Sequence, residues 1–140
     1  MENQPTTITV ETTVNAPVAK VWQIWTTPED IIQWNNASDD WHTPRAENDL
    51  TIDGKFNFGM EAKDGSAGFD FIGTYTEIDE NSLIAYTIAD GRKVNIRFLA
   101  NGDETRITQS FEAENENSVE LQQMGGQAIL DNFKKYAEAN

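Results

Sequence analysis

Histidine is the side chain that titrates nearest neutral pH, and this chain has one, His42, which follows Asp39, Asp40 and Trp41. An imidazole there could act as a general base. No serine or cysteine nucleophile motif accompanies it, so His42 reads as a surface or rim residue. The chain has no cysteine, which excludes disulfide and thiolate chemistry. The run Asp39-Asp40-Trp41-His42 groups possible metal ligands, but their spacing matches no metal motif. Gly125-Gly126 falls inside a helical pattern rather than after a strand, so it is not a phosphate-cradling loop. The expectation is no catalytic residue, no metal and no cofactor, and the sequence leans against an enzyme.

A stronger signal comes from large apolar side chains. Phe56, Phe58 and Met60 alternate along one stretch, and Phe69, Phe71 and Tyr75 along the next. Phe98 and Phe111 join the same predicted inner face. Each alone reads as core packing, where an aromatic ring buries much area. Together, beneath one helix, they can line a pocket while also holding the sheet. Met60 and Met124 are flexible and polarizable, which suits varied apolar ligands. Tyr86, Gln109 and Gln127 are the polar groups expected to orient a ligand, since such pockets combine apolar walls with a few hydrogen-bonding groups. Trp34, Trp41 and His42 complete the candidate binding set around the loop that joins them. Simple alternation turns Asp70 away from Phe69 and Phe71; only a bulge in that strand would bring Asp70 or Glu77 inward.

Bulk composition narrows the partners. The 140 residues carry 24 Asp and Glu against 10 Lys and Arg, a net charge of −14. The acidic residues are spread along the chain, and the basic ones are scattered, which argues against nucleic acid or an anionic membrane as partner. No apolar run approaches the roughly 20 residues a membrane span needs. Met1-Glu2-Asn3-Gln4 is polar and acidic where a secretory leader would be basic, so the cytoplasm is the expected compartment. With 38% hydrophobic residues and no linker, repeat or low-complexity segment, residues 1–140 are expected to form a single domain with a sizeable core.

The elements that must position these side chains follow from periodicity. Ile8, Val10, Thr12 and Val14 alternate with polar residues, which predicts a strand. Asn15 offers a helix cap with Pro17 in the first turn, and Val18, Val21, Trp22 and Trp25 form an apolar stripe. Thr27-Pro28-Glu29 repeats the entry chemistry for a second short helix ending at Trp34. After a polar loop, Trp41 to Asp49 reads as an irregular strand. Turn signals at Asp53-Gly54, Asp64-Gly65, Asp79-Asn81, Asp90-Gly91 and Asn101-Gly102 then punctuate an antiparallel meander. Asn117 and Glu120 make a capping pair for a last helix from about Ser118 to Ala137, with Leu121, Met124, Ala128, Leu130, Phe133 and Tyr136 on its apolar side. Gly125-Gly126 would let that helix bend or pack closely. The sheet's apolar face needs a cover, and only the last helix is long enough to provide it. A straight cylinder cannot fill a curved trough, so space is expected between them.

Val14-Asn15-Ala16-Pro17-Val18-Ala19-Lys20-Val21-Trp22, followed by Thr27-Pro28-Glu29 and Trp34, resembles the signature of the START-like (Bet v 1-like, SRPBCC) superfamily. More narrowly it is similar to the branch related to the C-terminal domain of the activator of Hsp90 ATPase. Asp49 through Asp53-Gly54-Lys55-Phe56 and Gly73-Thr74-Tyr75-Thr76-Glu77-Ile78 resemble strands of that branch. The resemblance implies an α+β helix-grip fold: a curved antiparallel sheet wrapped around a long C-terminal helix, with two short N-terminal helices. Two positions depart from the pattern. Gly126-Gln127 stands where many relatives carry Gly-Trp, and Asn81-Ser82-Leu83 lacks the usual arginine before the fifth strand. A glutamine facing the cavity in place of an indole would enlarge and wet that end.

The function expected is cytoplasmic binding of a small apolar or amphipathic molecule between sheet and last helix, entering near Asn35–Trp41 and the connector before that helix. Relatives on this scaffold include cyclases, dehydratases and hydrolases; for an enzyme of that kind His42, Tyr86 and Gln127 are the candidates. A third reading is a module that regulates a chaperone or another protein through its acidic surface. The eukaryotic co-chaperone's longer N-terminal Hsp90-binding domain is not seen in these residues, so Hsp90 activation itself is not expected.

Overall fold

Alternating β-branched residues make the first element a strand, β1 (Thr7–Val14), with Ile8, Val10 and Val14 buried. This is a computed structural model that describes residues 6–140; the polar opening Met1–Gln4, on which the absence of a leader was argued, lies outside the described residues. Helix α1 (Val18–Thr26) starts two residues later than Asn15 suggests. Pro17 holds the cap position, and its carbonyl accepts from the N–H groups of Lys20 and Val21, both at 3.1 Å. The Asn15 N–H instead meets Glu138 Oε2 at 2.8 Å. Helix α2 (Pro28–Trp34) has Pro28 in its first turn, where the missing N–H costs nothing. Thr27 stands at its cap position, but its hydroxyl donates back to the Gln23 carbonyl at 2.6 Å, finishing α1 rather than starting α2.

The meander follows as β2 (Trp41–Asn48), β3 (Lys55–Ala62), β4 (Gly68–Asp79), β5 (Leu83–Ile88), β6 (Lys93–Asn101) and β7 (Glu104–Glu112). The seven strands form one antiparallel sheet in the order β1-β7-β6-β5-β4-β3-β2. Its edges are therefore β1 and β2. Strand β2 is irregular as expected: its register on β3 breaks between His42 and Arg45, around Pro44. Strand β4 carries a bulge between Tyr75 and Glu77. The bulge does not turn Glu77 inward, since it is exposed, and Asp70 is exposed and paired with Arg45. Asp53 and Asn81 take positive φ (67° and 65°) in two of the turns, a conformation these side chains tolerate.

Helix α3 (Val119–Ala139) lies across the concave face. Its cap is Ser118, one residue past Asn117, and the Ser118 hydroxyl accepts from the Leu121 N–H at 3.1 Å. Leu130, Phe133 and Ala137 are fully buried, whereas Leu121 and Met124, assigned from sequence to the apolar side, are 56% and 67% exposed. Along one flank the helix is tied to the open edge of β1. Gln123 and Gln127 donate to the carbonyls of Thr9 (3.5 Å) and Glu11 (3.1 Å), and Lys134 Nζ donates to that of Thr13 (2.8 Å). The result is the helix-grip arrangement, α+β, with α1 and α2 closing one end.

The two adjacent glycines of α3 are not equivalent. A Cβ at Gly126 would sit 3.1 Å from the Phe111 ring, whereas a Cβ at Gly125 would meet nothing within 4 Å. Gly125→Ala should therefore stabilise the protein by about 0.5–1 kcal/mol, the helix-interior penalty of glycine, and Gly126→Ala should give no such gain. Thermal melts of the two variants check this; equal shifts would contradict the packing described.

Candidate functional site

Two aromatic groups divide the interior. At the helical end, Trp25 packs against Trp34 (4.8 Å between ring centres) and edge-on against Phe98 (5.7 Å). Phe133 of α3 meets Trp25 and Trp34 edge-on at 4.8 and 4.9 Å, and Trp34 Nε1 donates to the Ile24 carbonyl at 3.1 Å. On the β3–β5 side, Phe56 stacks on Phe58 (4.7 Å) and meets Tyr86 edge-on (4.7 Å), with Phe71 and Tyr75 at 5.5 and 5.4 Å. These rings are staggered by the strand pairing, in which Phe56 lies opposite Gly73 and Phe58 opposite Phe71.

Between the two groups lies a cavity of about 320 Å³. That is at the small end of ligand pockets, which run from about 300 to 1,000 Å³. Its walls are Phe56, Phe58 and Met60 from β3, Phe69, Phe71 and Tyr75 from β4, and Ile84 and Tyr86 from β5. Gly126 and Ile129 of α3 cover it, Trp25, Trp34 and Asn35 border it from the helical end, and Gln109 of β7 and Arg92 complete the lining. No carboxylate and no imidazole stands among these residues. Among the described residues no group of three or more His, Cys, Asp or Glu could hold a metal ion.

The polar groups of the lining differ in how they are satisfied. The Tyr75 hydroxyl donates to Asn48 Oδ1 at 2.5 Å, and Asn48 Nδ2 donates to the Thr26 carbonyl at 2.8 Å. Tyr75 therefore braces β4 against β2 and α1. Arg92 Nε donates to Asp90 Oδ2 at 2.8 Å, which pairs its charge. Burial pushes the phenols of Tyr75 and Tyr86 well above the ordinary tyrosine pKa; for Tyr75 the bond to Asn48 offsets part of this, while for Tyr86 no hydrogen bond opposes it. Both stay neutral well into the alkaline range. Asn35 is different. Its backbone is satisfied, N–H to the Ile31 carbonyl at 3.0 Å and carbonyl to the Thr43 hydroxyl at 2.5 Å. The residue as a whole is 8% exposed, and its Nδ2, closed off from solvent and from the open space of the cavity, has no hydrogen-bond partner among the described residues. An unpaired buried donor of this kind costs about 1–3 kcal/mol.

The structure brings together Trp34, Phe56, Phe58, Met60, Phe69, Phe71, Tyr75, Tyr86 and Gln109 of the candidate set. The remaining six lie elsewhere. Phe98 is buried in the core under Trp22 and Trp25. Phe111 lies beneath Gly126 and borders a more open depression of about 450 Å³ that also takes in Thr7, Thr76, Thr87 and Ser110. Met124 is solvent-exposed, and the Gln127 amide is engaged by the Glu11 carbonyl and by Asp131 Oδ1 (2.9 Å), outside the cavity lining. Trp41 and His42 sit on edge strand β2, Trp41 against Phe69 at 6.1 Å and His42 Nε2 at 4.0 Å from Glu61, its side chain 43% exposed. The His42 and Gln127 positions separate two of the three candidate acid–base groups from the cavity. Sequence reasoning did not place Trp25, Asn35, Ile84, Arg92, Gly126 or Ile129 in the lining. Ile84 and Ile129 carry a periodic apolar signal; Asn35 and Arg92 carry none, being polar residues in predicted loops.

The arrangement can hold a compact apolar molecule and offer it a few neutral hydrogen bonds. Comparison with known proteins agrees with this fold. The family model described as "Activator of Hsp90 ATPase homolog 1-like protein" matches residues 15–138. The chain is similar to the solution structure of an AHSA1-like protein from Aeromonas hydrophila, with 41% identity, a TM-score of 0.89, and 96% of this chain and 93% of that one covered. It is also similar to a protein of known solution structure from Cytophaga hutchinsonii, with 53% identity, a TM-score of 0.82, and coverage of 95% and 92%. A crystal structure from Nitrosomonas europaea, 18% identical with a TM-score of 0.80 and coverage of 95% and 94%, shares the fold. No curated protein matches the chain.

Proposed function

Because the chain belongs to the Activator of Hsp90 ATPase homolog 1-like family, we propose that it works in the cytoplasm, as one domain over residues 1–140, to hold a small apolar or amphipathic molecule between the sheet and α3. The observation that carries this reading is the cavity itself: aromatic and aliphatic walls with a few neutral polar groups and one arginine, Arg92, paired with Asp90, and neither carboxylate nor imidazole in the lining. Acid–base chemistry of the cyclase, dehydratase or hydrolase kind needs ionisable groups converging on the bound molecule. Of the candidates for such chemistry only Tyr86 reaches the cavity, which supports holding a ligand over transforming it. No helix of the described residues is long and apolar enough to cross a membrane, and the net charge of −14 disfavours anionic lipid as the occupant.

The test uses the neutral dye N-phenyl-1-naphthylamine and the whole chain. Trp25 and Trp34 border the cavity, so saturable one-to-one binding should quench tryptophan emission. At 100 times its dissociation constant the dye should add about 2.7 kcal/mol to stability. Affinity should be flat between about pH 6 and pH 9, because no lining carboxylate or imidazole titrates there. Native mass spectrometry of freshly isolated protein should show a co-purified small molecule. Linear, unsaturable dye uptake with no shift in melting temperature would reject the reading.

A further inference from the structure

Strand alternation turns the Tyr86 side chain to the concave face with Ile84, while Ala85 and Thr87 point the other way. Its ring stands among the cavity walls, edge-on to Phe56 at 4.7 Å, to Tyr75 at 6.2 Å and to Phe71 at 6.4 Å. The residue is 9% exposed, and no hydrogen bond holds its hydroxyl among the described residues. Asn35 Nδ2 is also unpaired but is sealed in; the Tyr86 hydroxyl is not sealed, so it meets the open space that its ring borders. For packing alone a phenylalanine would serve as well, with no hydroxyl to desolvate.

Arg92, in the turn after β5, brings further donors to the same lining. Its Nε donates to Asp90 Oδ2 at 2.8 Å and its backbone N–H to Asp90 Oδ1 at 3.1 Å, which fixes the guanidinium. Its two Nη groups have no hydrogen-bond partner among the described residues. Burial raises the Tyr86 phenol, Tyr75 adds to the rise, and the Arg92 charge opposes it, so the guanidinium lies within electrostatic reach of that hydroxyl. A guanidinium offers donors and no acceptor. Its charge, however, is already answered. Burial would raise the Asp90 carboxyl, but the N–H and guanidinium of Arg92 outweigh it. Glu114, held down mainly by the Asn117 N–H, also feels the Arg92 charge. One cation with two carboxylates around it would repel a third anion, so a ligand finds donors here rather than net positive charge.

We infer that Tyr86 is the ligand-orienting residue of the cavity, its hydroxyl donating, with Arg92 beside it, to one uncharged acceptor oxygen on an otherwise apolar ligand. This role rests on the ligand-holding function proposed above and deepens it by giving the ligand a polar atom, a charge state and a direction. The ligand class is a compact apolar ketone or ester, its carbonyl toward β5 and its hydrocarbon body against the apolar walls. Gln109 lines the same cavity and is the alternative donor that the experiment must separate from Tyr86.

Three probes of similar shape make the test at neutral pH: 2-acetylnaphthalene, 2-isopropenylnaphthalene, in which a methylene replaces the carbonyl oxygen, and the anion 2-naphthoate. The wild-type chain should bind the ketone about tenfold more tightly than the alkene, although the alkene is the more apolar, and more tightly than the carboxylate. Tyr86→Phe should cut the ketone's advantage over the alkene to about twofold or less while keeping alkene affinity. Without ligand it should melt no lower than wild type, since the lost hydroxyl has no protein partner. Gln109→Leu should leave the advantage intact. The infrared carbonyl stretch of the ketone bound to wild type should lie below its value in hexane, and should return toward that value on Tyr86→Phe. Equal affinities for ketone and alkene would overturn the inference while leaving ligand binding intact. So would an advantage that survives Tyr86→Phe, or a tighter grip on 2-naphthoate than on the ketone. If N-phenyl-1-naphthylamine binds and neither neutral naphthalene does, the inference alone falls; if none of these three binds, so does the function beneath it.

Discussion

Replacing Phe133 by alanine is expected to remove about 3–5 kcal/mol of stability, the range for truncating a large buried aromatic. Phe133 is fully buried, and its ring meets Trp25 and Trp34 edge-on at 4.8 and 4.9 Å. With the bonds of Asn132 to the Trp34 carbonyl and of Tyr136 to Asp30, it fastens α3 onto the two short helices, and those tryptophans also border the cavity. The hole left by the ring would lie beside Trp25 and Trp34, which border that cavity. Domains of this size are stable by only about 5–15 kcal/mol, so the variant should fold marginally. Urea unfolding followed by tryptophan emission measures it: the midpoint should fall sharply with little change in slope. A loss under about 1 kcal/mol would mean that α3 is held mainly by its ties to β1.

Gly73→Ala should act on the ligand as well as on the fold. A Cβ at Gly73 would lie 2.4 Å from the Cε2 and Cζ atoms of Phe56 and 3.2 Å from Tyr86 Cδ1. Gly73 needs no unusual backbone angle, so the effect is purely steric. Phe56 is 2% exposed and stacked on Phe58, and the open side available to it is the cavity. Its ring must swing there, at a cost of about 1–3 kcal/mol for overpacking. The swung ring would occupy the volume a ligand needs, so dye affinity should fall at least about tenfold, or about 1.4 kcal/mol, alongside the loss of stability. Unchanged affinity would show that Phe56 does not border the occupied space. The contrast with Gly125→Ala is instructive: the same added methyl stabilises where it meets nothing and disrupts where it meets a ring.

Much of the site was legible because strands report direction with a period of two. Phe56, Phe58, Met60, Phe69, Phe71 and Tyr75 fall on the inner face by alternation, and the structure places them around one space. Alternation does not say whether an inward residue borders a hollow or a neighbour. Phe98 faces inward like the others, but Trp22 and Trp25 pack directly against it. That depends on where α1 settles, which no local pattern encodes. Helix directions are harder still, because successive residues differ by about 100°. Gly126 lines the cavity while Gln127, one step round, is engaged by β1. The same rotation puts Met124 in solvent and brings in Ile129. The irregular β2, the turn positions and the long last helix were readable; the caps slipped by one or two residues, at Ser118 because Asn117 beside it also has capping chemistry, and at Pro17 because α1 starts with no side-chain cap at all. Asn35 was invisible as a site residue, since a polar residue after a helix is ordinary until its burial is known.

The flank of α3 that engages β1 has a consequence for the behaviour of the chain in a crowded solution. An unprotected sheet border is a template on which another polypeptide can lay down a further strand. Here the carbonyls along one border are already occupied by donors from Gln127 and Lys134, and the opposite border is interrupted at Pro44, which has no N–H to offer. Both margins are thus less open to templated growth than bare strands would be, which guards a sheet with a hollow middle against growth at its rims.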